Sequence, residues 1–297
     1  MDRNKHQLYM SQILAMVFKD RDLSSVMAFK GGTSLMFFHG LPRFSTDLDF
    51  NLLEPDKSEL VLSKLRKILQ RFGTIDDEAD KFFGPVLVLN YGRGERMLKV
   101  EVSKRLYDNH YSLHNLGGVD MRVMTMPDMF AHKLCAMGER TSARDVFDCW
   151  FFLSRHSDIN EHIVLQRTGL SVSEYALRCV ELIGQLKPSA MMQGLGEVLD
   201  LKMKNFVRTH LLDETTTLLQ MFAAFPAIAS QPVLDRTRII ENHIQEVKML
   251  KEKHIDISMV GDNHLTDLFV ERKPVSLLDN AGNAIVCQIF GGKLLMT

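Results

Sequence analysis

The segment FKGGTSLMFFHGLPRFSTDLDF, residues 29–50, carries the strongest structural signal in this 297-residue chain. It completes a short apolar run at residues 26–29, which predicts a strand, and Gly31-Gly32 then predicts a tight turn. Residues 33–39 begin with hydroxyl side chains and predict a helix. Apolar and polar residues alternate over 48–53, as in a half-buried strand. The segment therefore predicts the order strand, glycine turn, helix, strand.

The surrounding amino-terminal half has the patterns of a small sheet covered by helices. Residues 5–19 carry an apolar stripe at helical spacing, and residues 57–72 form a second amphipathic, charged segment. Two β-rich runs, 85–91 and 97–102, are joined by Gly-Arg-Gly-Glu-Arg, which is typical of a hairpin. We therefore expect an α+β domain with a mixed sheet.

The second half predicts mainly helix. A helix-start signal at Thr125 and Pro127 opens this half, and the apolar periodicity predicts helices near residues 127–138, 143–156, 172–186, 213–223 and 233–253. Residues 265–297 contain turn signals between short apolar runs and predict a terminal hairpin or appendage. The predicted division is 1–125 for the α+β domain, 126–255 for the helical domain and 256–297 for the appendage.

Composition limits the possible functions only loosely. The chain has 36 basic and 37 acidic residues, a formal net charge of −1, so any contact with nucleic acid must use a local basic surface. Its four cysteines are widely spaced, which favours reduced thiols and predicts neither a disulfide nor a zinc site. Since no segment has the ~20 apolar residues of a membrane span, we expect a cytoplasmic protein without membrane contact.

The glycine turn has a chemical meaning as well as a structural one. Gly31 and Gly32 let the backbone approach an anion closely, and the N–H groups at the start of the next helix favour phosphate. Thr33 and Ser34 add two hydroxyl donors at the same place. A glycine turn after a strand often has only a geometric role, so its position before other polar residues matters.

Asp47 and Asp49 supply those polar residues. Side chains two apart on a strand point to the same side, so both aspartates face one way while Leu48 and Phe50 face the core. Carboxylate and phosphate oxygens are the ligands that Mg²⁺ prefers. The spacing therefore predicts a divalent cation held beside the glycine turn.

Together, these residues resemble the DNA polymerase beta-like nucleotidyltransferases, whose pattern is a glycine turn, a helix and Asp-x-Asp. Within that superfamily, Lys-Gly-Gly-Thr-Ser-Leu followed by Arg-Phe-Ser-Thr-Asp-Leu-Asp-Phe is similar to the AbiEii/AbiGii toxin family, which includes the MenT toxins. The resemblance implies that Lys30 and Arg43 belong to the nucleotide site with the glycine turn. It also implies a third metal-binding carboxylate, Glu101, where many relatives have Asp.

The segment MPDMFAHKLCAMGERTSARDVFDCWFFL, residues 126–153, resembles later motifs of the same family. The resemblance implies that Lys133 contacts the triphosphate, and that Asp145 and Asp148 organise Lys133, the base or the acceptor from one helical face. Two structural alternatives remain open. Asp145 has the position of an acid at a helix N-terminus, and Arg43 with Ser45 could stabilise the loop before the aspartates.

The activity implied by the resemblance is nucleotide transfer from a nucleoside triphosphate (NTP) to an acceptor hydroxyl, with Mg²⁺ or Mn²⁺ and release of pyrophosphate. It also implies a bacterial toxin or phage-defence protein with a separately encoded antitoxin, acting on RNA, above all the tRNA acceptor end. A small molecule or protein acceptor and an inert binding module remain alternatives. Basic residues beside the Glu101 strand are either solvated or contact RNA: Arg93, Arg96, Lys99, Lys104 and Arg105.

Overall fold

The computed structural model describes residues 2–224, 240, 243–257, 260, 262–269, 274–290 and 293–296. The chain divides into two compact units, Met1–Ser230 and Gln231–Thr297. This boundary differs from the three-part division expected from the sequence, because the helices after residue 126 share one hydrophobic core with the sheet. The division into an α+β and a helical domain stays a prediction.

The first unit contains a seven-stranded mixed sheet with the order β3-β4-β5-β2-β1-β7-β6. Its strands are β1 (Met27–Lys30), β2 (Asp47–Leu52), β3 (Thr74–Lys81), β4 (Gly84–Asn90), β5 (Leu98–Ser103), β6 (Tyr111–Leu116) and β7 (Val119–Met124). The pairs β2·β5 and β1·β7 are parallel, and the others are antiparallel. The predicted α+β class with a mixed sheet is confirmed.

The glycine-turn segment folds in the predicted order. Helix α3 (Gly31–Phe38) follows β1 without a loop, and β2 then returns antiparallel to β1. Gly31 has φ +85°, and a Cβ on it would lie 2.5 Å from Oδ2 of Asp49. Glycine is therefore needed here for two reasons, the positive φ and the close approach to a site carboxylate.

Alternation along β2 and β5 separates a core face from an open face. Leu48 and Phe50 are fully buried, and Phe18 packs its ring 6.3 Å from that of Phe50. Phe18 belongs to α1 (Arg3–Lys19), which packs beside α4 (Ser58–Leu69). The opposite face carries Asp47 and Asp49, so the helices on the core face leave these carboxylates accessible.

The remaining helices of the first unit follow the sheet, apart from the short α2 (Arg21–Val26). They are α5 (Met126–Arg140), α6 (Ala143–Leu153), α7 (Glu161–Thr168), α8 (Val172–Ile183), α9 (Leu201–Thr209) and α10 (Leu211–Ala224). Thr141 ends α5 in the left-handed conformation, and the Ser142 side chain caps α6 by accepting from the N–H of Asp145. A sharp turn therefore places the end of α5 beside the start of α6.

Several elements carry weak sequence signals and were not predicted. Strand β3 has the sequence TIDDEADK, whose acids mask its period, and the mostly exposed β6 has no apolar run. Both lie at edges of the sheet, where pairing with a single neighbour tolerates polar residues. Helices α2, α7 and α9 are short.

The second unit is small and separately packed. It contains α11 (Ile244–Glu252), α12 (Asp262–Phe269) and an antiparallel sheet of β8 (Val275–Leu278), β9 (Ala284–Phe290) and β10 (Lys293–Met296). The predicted terminal hairpin is confirmed by β8 and β9, whereas residues 233–239 of the predicted helix lie outside the described residues. Among the described helices, none has the length and apolar character required to cross a membrane.

Candidate active site

A cavity of about 620 Å³ lies over the open face of β2 and β5 and is closed on the other side by α5 and the start of α6. It brings together nine of the twelve residues that the sequence singled out: Lys30, Gly31, Gly32, Arg43, Asp47, Asp49, Glu101, Lys133 and Asp145. Its lining contains eight lysines and arginines but only four aspartates and glutamates. A cavity with this balance of charge suits a polyanion.

The three sheet carboxylates lie in neighbouring register positions. Asp49 is the partner of Lys30 on β1 and of Glu101 on β5, so these three residues form a row across three strands. Asp47 lies two residues earlier and pairs with Lys99. One carboxylate oxygen of Glu101 accepts from Lys99 Nζ. Within the described residues, neither Asp47 nor Asp49 forms an ion pair within 4.0 Å.

The environment of Asp49 disfavours its charged form. Burial is the main cause, and the negative charges of Asp47 and Glu101 add to it, which raises the pKa of Asp49 to about 6. Burial likewise lowers the pKa of Lys30 to about 8, although Asp49 and Glu101 oppose that shift. The sheet face therefore holds negative charge that the protein's own cations compensate only in part.

Asp47 and Asp49 are the side chains that could hold a divalent metal. Among the residues that the structure describes, no group of three or more His, Cys, Asp or Glu is already arranged as a metal site. Mg²⁺ is nevertheless commonly bound by one or two carboxylates together with substrate phosphates. Two hard oxygen donors facing a cationic cavity fit that mode, and the partly uncompensated charge around Asp49 fits it as well.

The glycine turn lies beside the start of β2, next to Asp47. A Cβ on Gly32 would approach Arg43 Nη2 to 2.7 Å and Ser45 Oγ to 2.9 Å. Thr33 and Ser34, by contrast, are buried, and their hydroxyls donate to the carbonyls of Asp47 and Gly31 at 2.5 and 2.8 Å. Their side chains hold the turn against β2 and are not brought to the cavity, so the predicted role of these hydroxyls stays a prediction.

The helical wall supplies cations held by two buried aspartates. Asp148 binds Arg43 through two hydrogen bonds of 2.6 and 2.7 Å and also binds Lys133 Nζ at 2.7 Å. Asp145 accepts from Arg140 at 2.6 and 2.9 Å and lies 4.0 Å from Lys133. Lys133 therefore lies against both aspartates and Arg43 is tied to α6, while the predicted role of the two aspartates in the site stays a prediction.

These ion pairs determine how the two aspartates titrate. Burial by itself would raise the pKa of Asp148, but Arg43 and Lys133 outweigh burial and hold it at about 2. The pKa of Asp145 is also lowered, because Arg140, Lys133 and Ser142 outweigh burial. Both aspartates therefore stay ionised near neutral pH, with their charges paired to cations of the cavity wall.

Sequence reasoning missed much of the cavity wall. On α5 the lining residues Met129, His132, Lys133, Ala136 and Arg140 follow one helical face, and their spacing from Lys133 could have revealed Arg140. Other missed residues come from separate loops and helices, and no local pattern connects them: Phe83, Tyr107, Ser142 and Arg167. Of the predicted basic set, only Lys99 and Arg105 line the cavity.

The fold is that of a nucleotidyltransferase. The nucleotidyltransferase toxin MenT4 from Mycobacterium tuberculosis superposes with a TM-score of 0.50 at 17% identity, over 81% of this chain and 91% of that one. JHP933 from Helicobacter pylori aligns with a TM-score of 0.47 at 20% identity, over 83% and 97% of the two chains. No curated protein sequence matches the chain.

The family follows from the sequence profile described as nucleotidyl transferase AbiEii toxin, type IV toxin–antitoxin system, which matches residues 12–230. The chain belongs to this AbiEii family, as its glycine turn and Asp-x-Asp strand predicted. It is therefore an AbiEii-type nucleotidyltransferase toxin of a type IV toxin–antitoxin system. Membership implies transferase activity and a cognate antitoxin.

Proposed function

We propose that this protein transfers a nucleoside monophosphate from an NTP to a hydroxyl of an RNA, above all at the acceptor end of tRNA. It acts in the cytoplasm as a toxin, a role that is also compatible with phage defence. One observation carries the proposal. The Asp47 and Asp49 carboxylates lie between a glycine turn and a wall of lysines and arginines in a single cavity. Such a site neutralises a triphosphate on several sides.

The triphosphate is proposed to lie at the glycine-turn end. There Gly31 and Gly32 line the cavity close to the carboxylates, and Lys30 and Lys133 reach the same space from the sheet and from α5. Arg43 borders this end, although its Nε and Nη2 groups are already engaged with Asp148. These side chains bind and orient the phosphates, which is most of what a protein contributes to phosphoryl transfer.

The metal is proposed to be Mg²⁺ or Mn²⁺, held by Asp47 and Asp49 together with phosphate oxygens of the NTP. When bound, such an ion lowers the pKa of the attacking hydroxyl and neutralises the leaving pyrophosphate. Glu101 is proposed as the third carboxylate. The Glu101 carboxylate accepts a hydrogen bond from Lys99. For Glu101 to bind the metal, it would have to give up this hydrogen bond.

The RNA is proposed to enter at the other end of the cavity. Ser103, Arg105 and Tyr107 line this end, and residues on β5 run toward it in parallel with β2. Arg96 pairs with Glu197 and Lys104 with Asp80, so their charges are engaged elsewhere. Lys99 pairs with Glu101 and lies opposite Asp47, so the RNA contact of the basic set at this end falls to Arg105.

The test is to incubate the purified protein with each α-labelled NTP and total RNA, with Mg²⁺ or with EDTA. Label on tRNA-sized RNA that depends on the metal supports the proposal. Asp47→Ala and Lys133→Ala remove a proposed metal ligand and a proposed phosphate contact, whereas Arg178→Ala removes an exposed arginine outside the cavity and serves as the matched control. Label found in a small molecule or a protein, and not in RNA, would show that RNA is not the acceptor.

A growth assay tests the link between chemistry and toxicity. Expression without the antitoxin should slow a bacterial host, while the Asp47→Ala and Lys133→Ala forms should not, because both lack transfer. Equal toxicity of all forms at equal protein level would mean that the chain acts by binding.

A further inference from the structure

The turn between β3 and β4 presents two aromatic side chains to solvent. Phe82 is 91% exposed and Phe83 is 51% exposed, and their rings lie 5.0 Å apart in an edge-to-face arrangement. Phe83 also lines the proposed acceptor end of the cavity. Two adjacent phenyl rings with this exposure beside an active site are unusual, and such surfaces commonly bind a partner.

The turn is held firmly against the end of β5. The N–H of Lys104 donates to the carbonyl of Phe83 at 2.8 Å. Gly84 has φ +126°, and a Cβ there would lie 1.9 Å from the carbonyl oxygen of Val102. Only glycine allows this approach, which places Phe83 directly beside the chain that follows β5. The rings are thus presented from a defined backbone position.

A cation accompanies the rings. The Arg105 guanidinium carbon lies 3.7 Å from the centroid of the Phe83 ring, a cation–π distance. In the part of the chain that the structure describes, no carboxylate forms an ion pair with Arg105. The two acids of β3 nearest the turn do not cancel this charge, because Asp80 pairs with Lys104 and Glu78 with Arg66. An exposed aromatic pair next to an unpaired arginine matches single-stranded nucleic acid, whose bases stack while its phosphates seek cations.

The position of Phe83 and Arg105 agrees with the geometry of the reaction. Gly32 lies near Arg43 and Ser45 at one end of the cavity, whereas Phe83 and Arg105 lie beyond the far end of β5. An attacking hydroxyl and the departing pyrophosphate stand in line on opposite sides of the α-phosphorus. If the triphosphate occupies the glycine-turn end of the cavity, the acceptor approaches from the end where Phe83 and Arg105 lie.

We infer that Phe82, Phe83 and Arg105 form a stacking platform for the last unpaired bases of a single-stranded RNA acceptor; this rests on the proposed RNA transfer. The rings bind the bases without reading their identity, because every base has a π-face. Arg105 contacts the adjoining phosphate. Specificity for an unpaired end follows, since bases within a duplex are already stacked on each other.

The experiment compares two double variants of the full chain. Phe82→Leu with Phe83→Leu keeps apolar bulk but removes both π-faces, and Phe82→Tyr with Phe83→Tyr keeps them. Leu113→Ala on the edge strand β6, where Leu113 is 75% exposed, is the control for loss of an exposed apolar side chain. One measurement is the KM for RNA and for NTP. The other, without NTP, is fluorescence quenching of 2-aminopurine at the 3′ end of a short single-stranded RNA.

The Leu pair should raise the KM for RNA roughly tenfold and abolish the quenching, with the KM for NTP unchanged, while the Tyr pair and Leu113→Ala behave as the parent. An unchanged KM for RNA and unchanged quenching in the Leu pair overturn the platform and leave RNA transfer standing. If the parent and the Tyr pair quench the fluorescence, the Leu pair does not, and the protein labels no RNA, the platform is supported and the proposed RNA transfer is wrong. Loss of antitoxin neutralisation alone, with RNA kinetics intact, overturns the platform in favour of a protein partner.

Discussion

The site contains two groups of carboxylates in opposite electrostatic situations. Asp47 and Asp49 on β2 face the cavity, and the pKa of Asp49 is raised to about 6 by burial and by its acidic neighbours. Asp145 and Asp148 on α6 are fully buried, and the pKa of Asp148 is held at about 2, since Arg43 and Lys133 outweigh burial. The same residue type thus has its charge penalised in one group and stabilised in the other.

The difference indicates what each group does. Carboxylates without ion-pair partners, kept close together, lower the stability of the empty protein and favour binding of an external cation. Carboxylates engaged with arginine and lysine fix the protein's own cations in place. We therefore propose that the β2 pair binds the ligand and that the α6 pair positions the cations. Mutations that separate stability from activity will test this assignment.

The largest expected effect is on transfer in Asp49→Ala. Loss of one proposed metal ligand should lower the rate by on the order of 10³-fold or more. Its free energy of unfolding should stay at or above the parental value at pH 7.5, since the lost charge is an unfavourable one. Pyrophosphate release and urea unfolding measure the two quantities. Parental turnover in Asp49→Ala would remove Asp49 from the site.

Asp148→Ala should show the reverse pattern in stability. It leaves Arg43 and Lys133 without their carboxylate in a buried place, which should cost about 3–5 kcal/mol of unfolding free energy. Urea unfolding beside Asp49→Ala gives a direct comparison of the two groups. A loss below about 1 kcal/mol would show that Asp148 does not hold these cations together.

The pH dependence of stability should differ in sign between the two aspartates. The folded pKa of Asp148 is about 2 against an ordinary 3.8, so it contributes about 2 kcal/mol above pH 4 that is lost as the pH falls through 2. The folded pKa of Asp49 is about 6, so its protonation should stabilise the metal-free protein as the pH falls from above 6 toward 4. Urea unfolding in EDTA at successive pH values should show this gain as the difference between the parent and Asp49→Asn, because the other titrating groups are common to both proteins.

Gly31→Ala should have a smaller effect on stability, about 1–3 kcal/mol. The new Cβ meets Oδ2 of Asp49 at 2.5 Å, and alanine disfavours φ +85°. Gly40→Ala is the matched control, because Gly40 also has positive φ but has open space around it. Equal losses in both variants would attribute the cost to φ alone, and a larger loss with weaker transfer at Gly31 would confirm the contact with Asp49.

Local patterns were sufficient to predict the strand and the turn that carry the proposed site. Alternation along β2 predicted that Asp47 and Asp49 share a face, and Gly31-Gly32 predicted the turn, because both features depend on backbone geometry over a few residues. Apolar alternation did not reveal β3, because its acidic residues interrupt the alternation. Two of these acids form ion pairs, with Arg66 on α4 and with Lys104 just after β5. Local patterns also left open which way Thr33 and Ser34 point.

The partners of those local elements depend on the packing of the whole unit. Arg43 and Asp148 are 105 positions apart in the chain, and no spacing rule pairs them. Burial accounts for this pair, because a buried guanidinium requires a carboxylate partner and α6 carries the carboxylate within reach. The same packing brings Phe83, Arg105 and Arg167 to one cavity from separate segments. The residue types of the proposed metal site were thus readable from sequence, whereas the shape and charge of the cavity arise from long-range contacts, because these form only when distant segments are buried together.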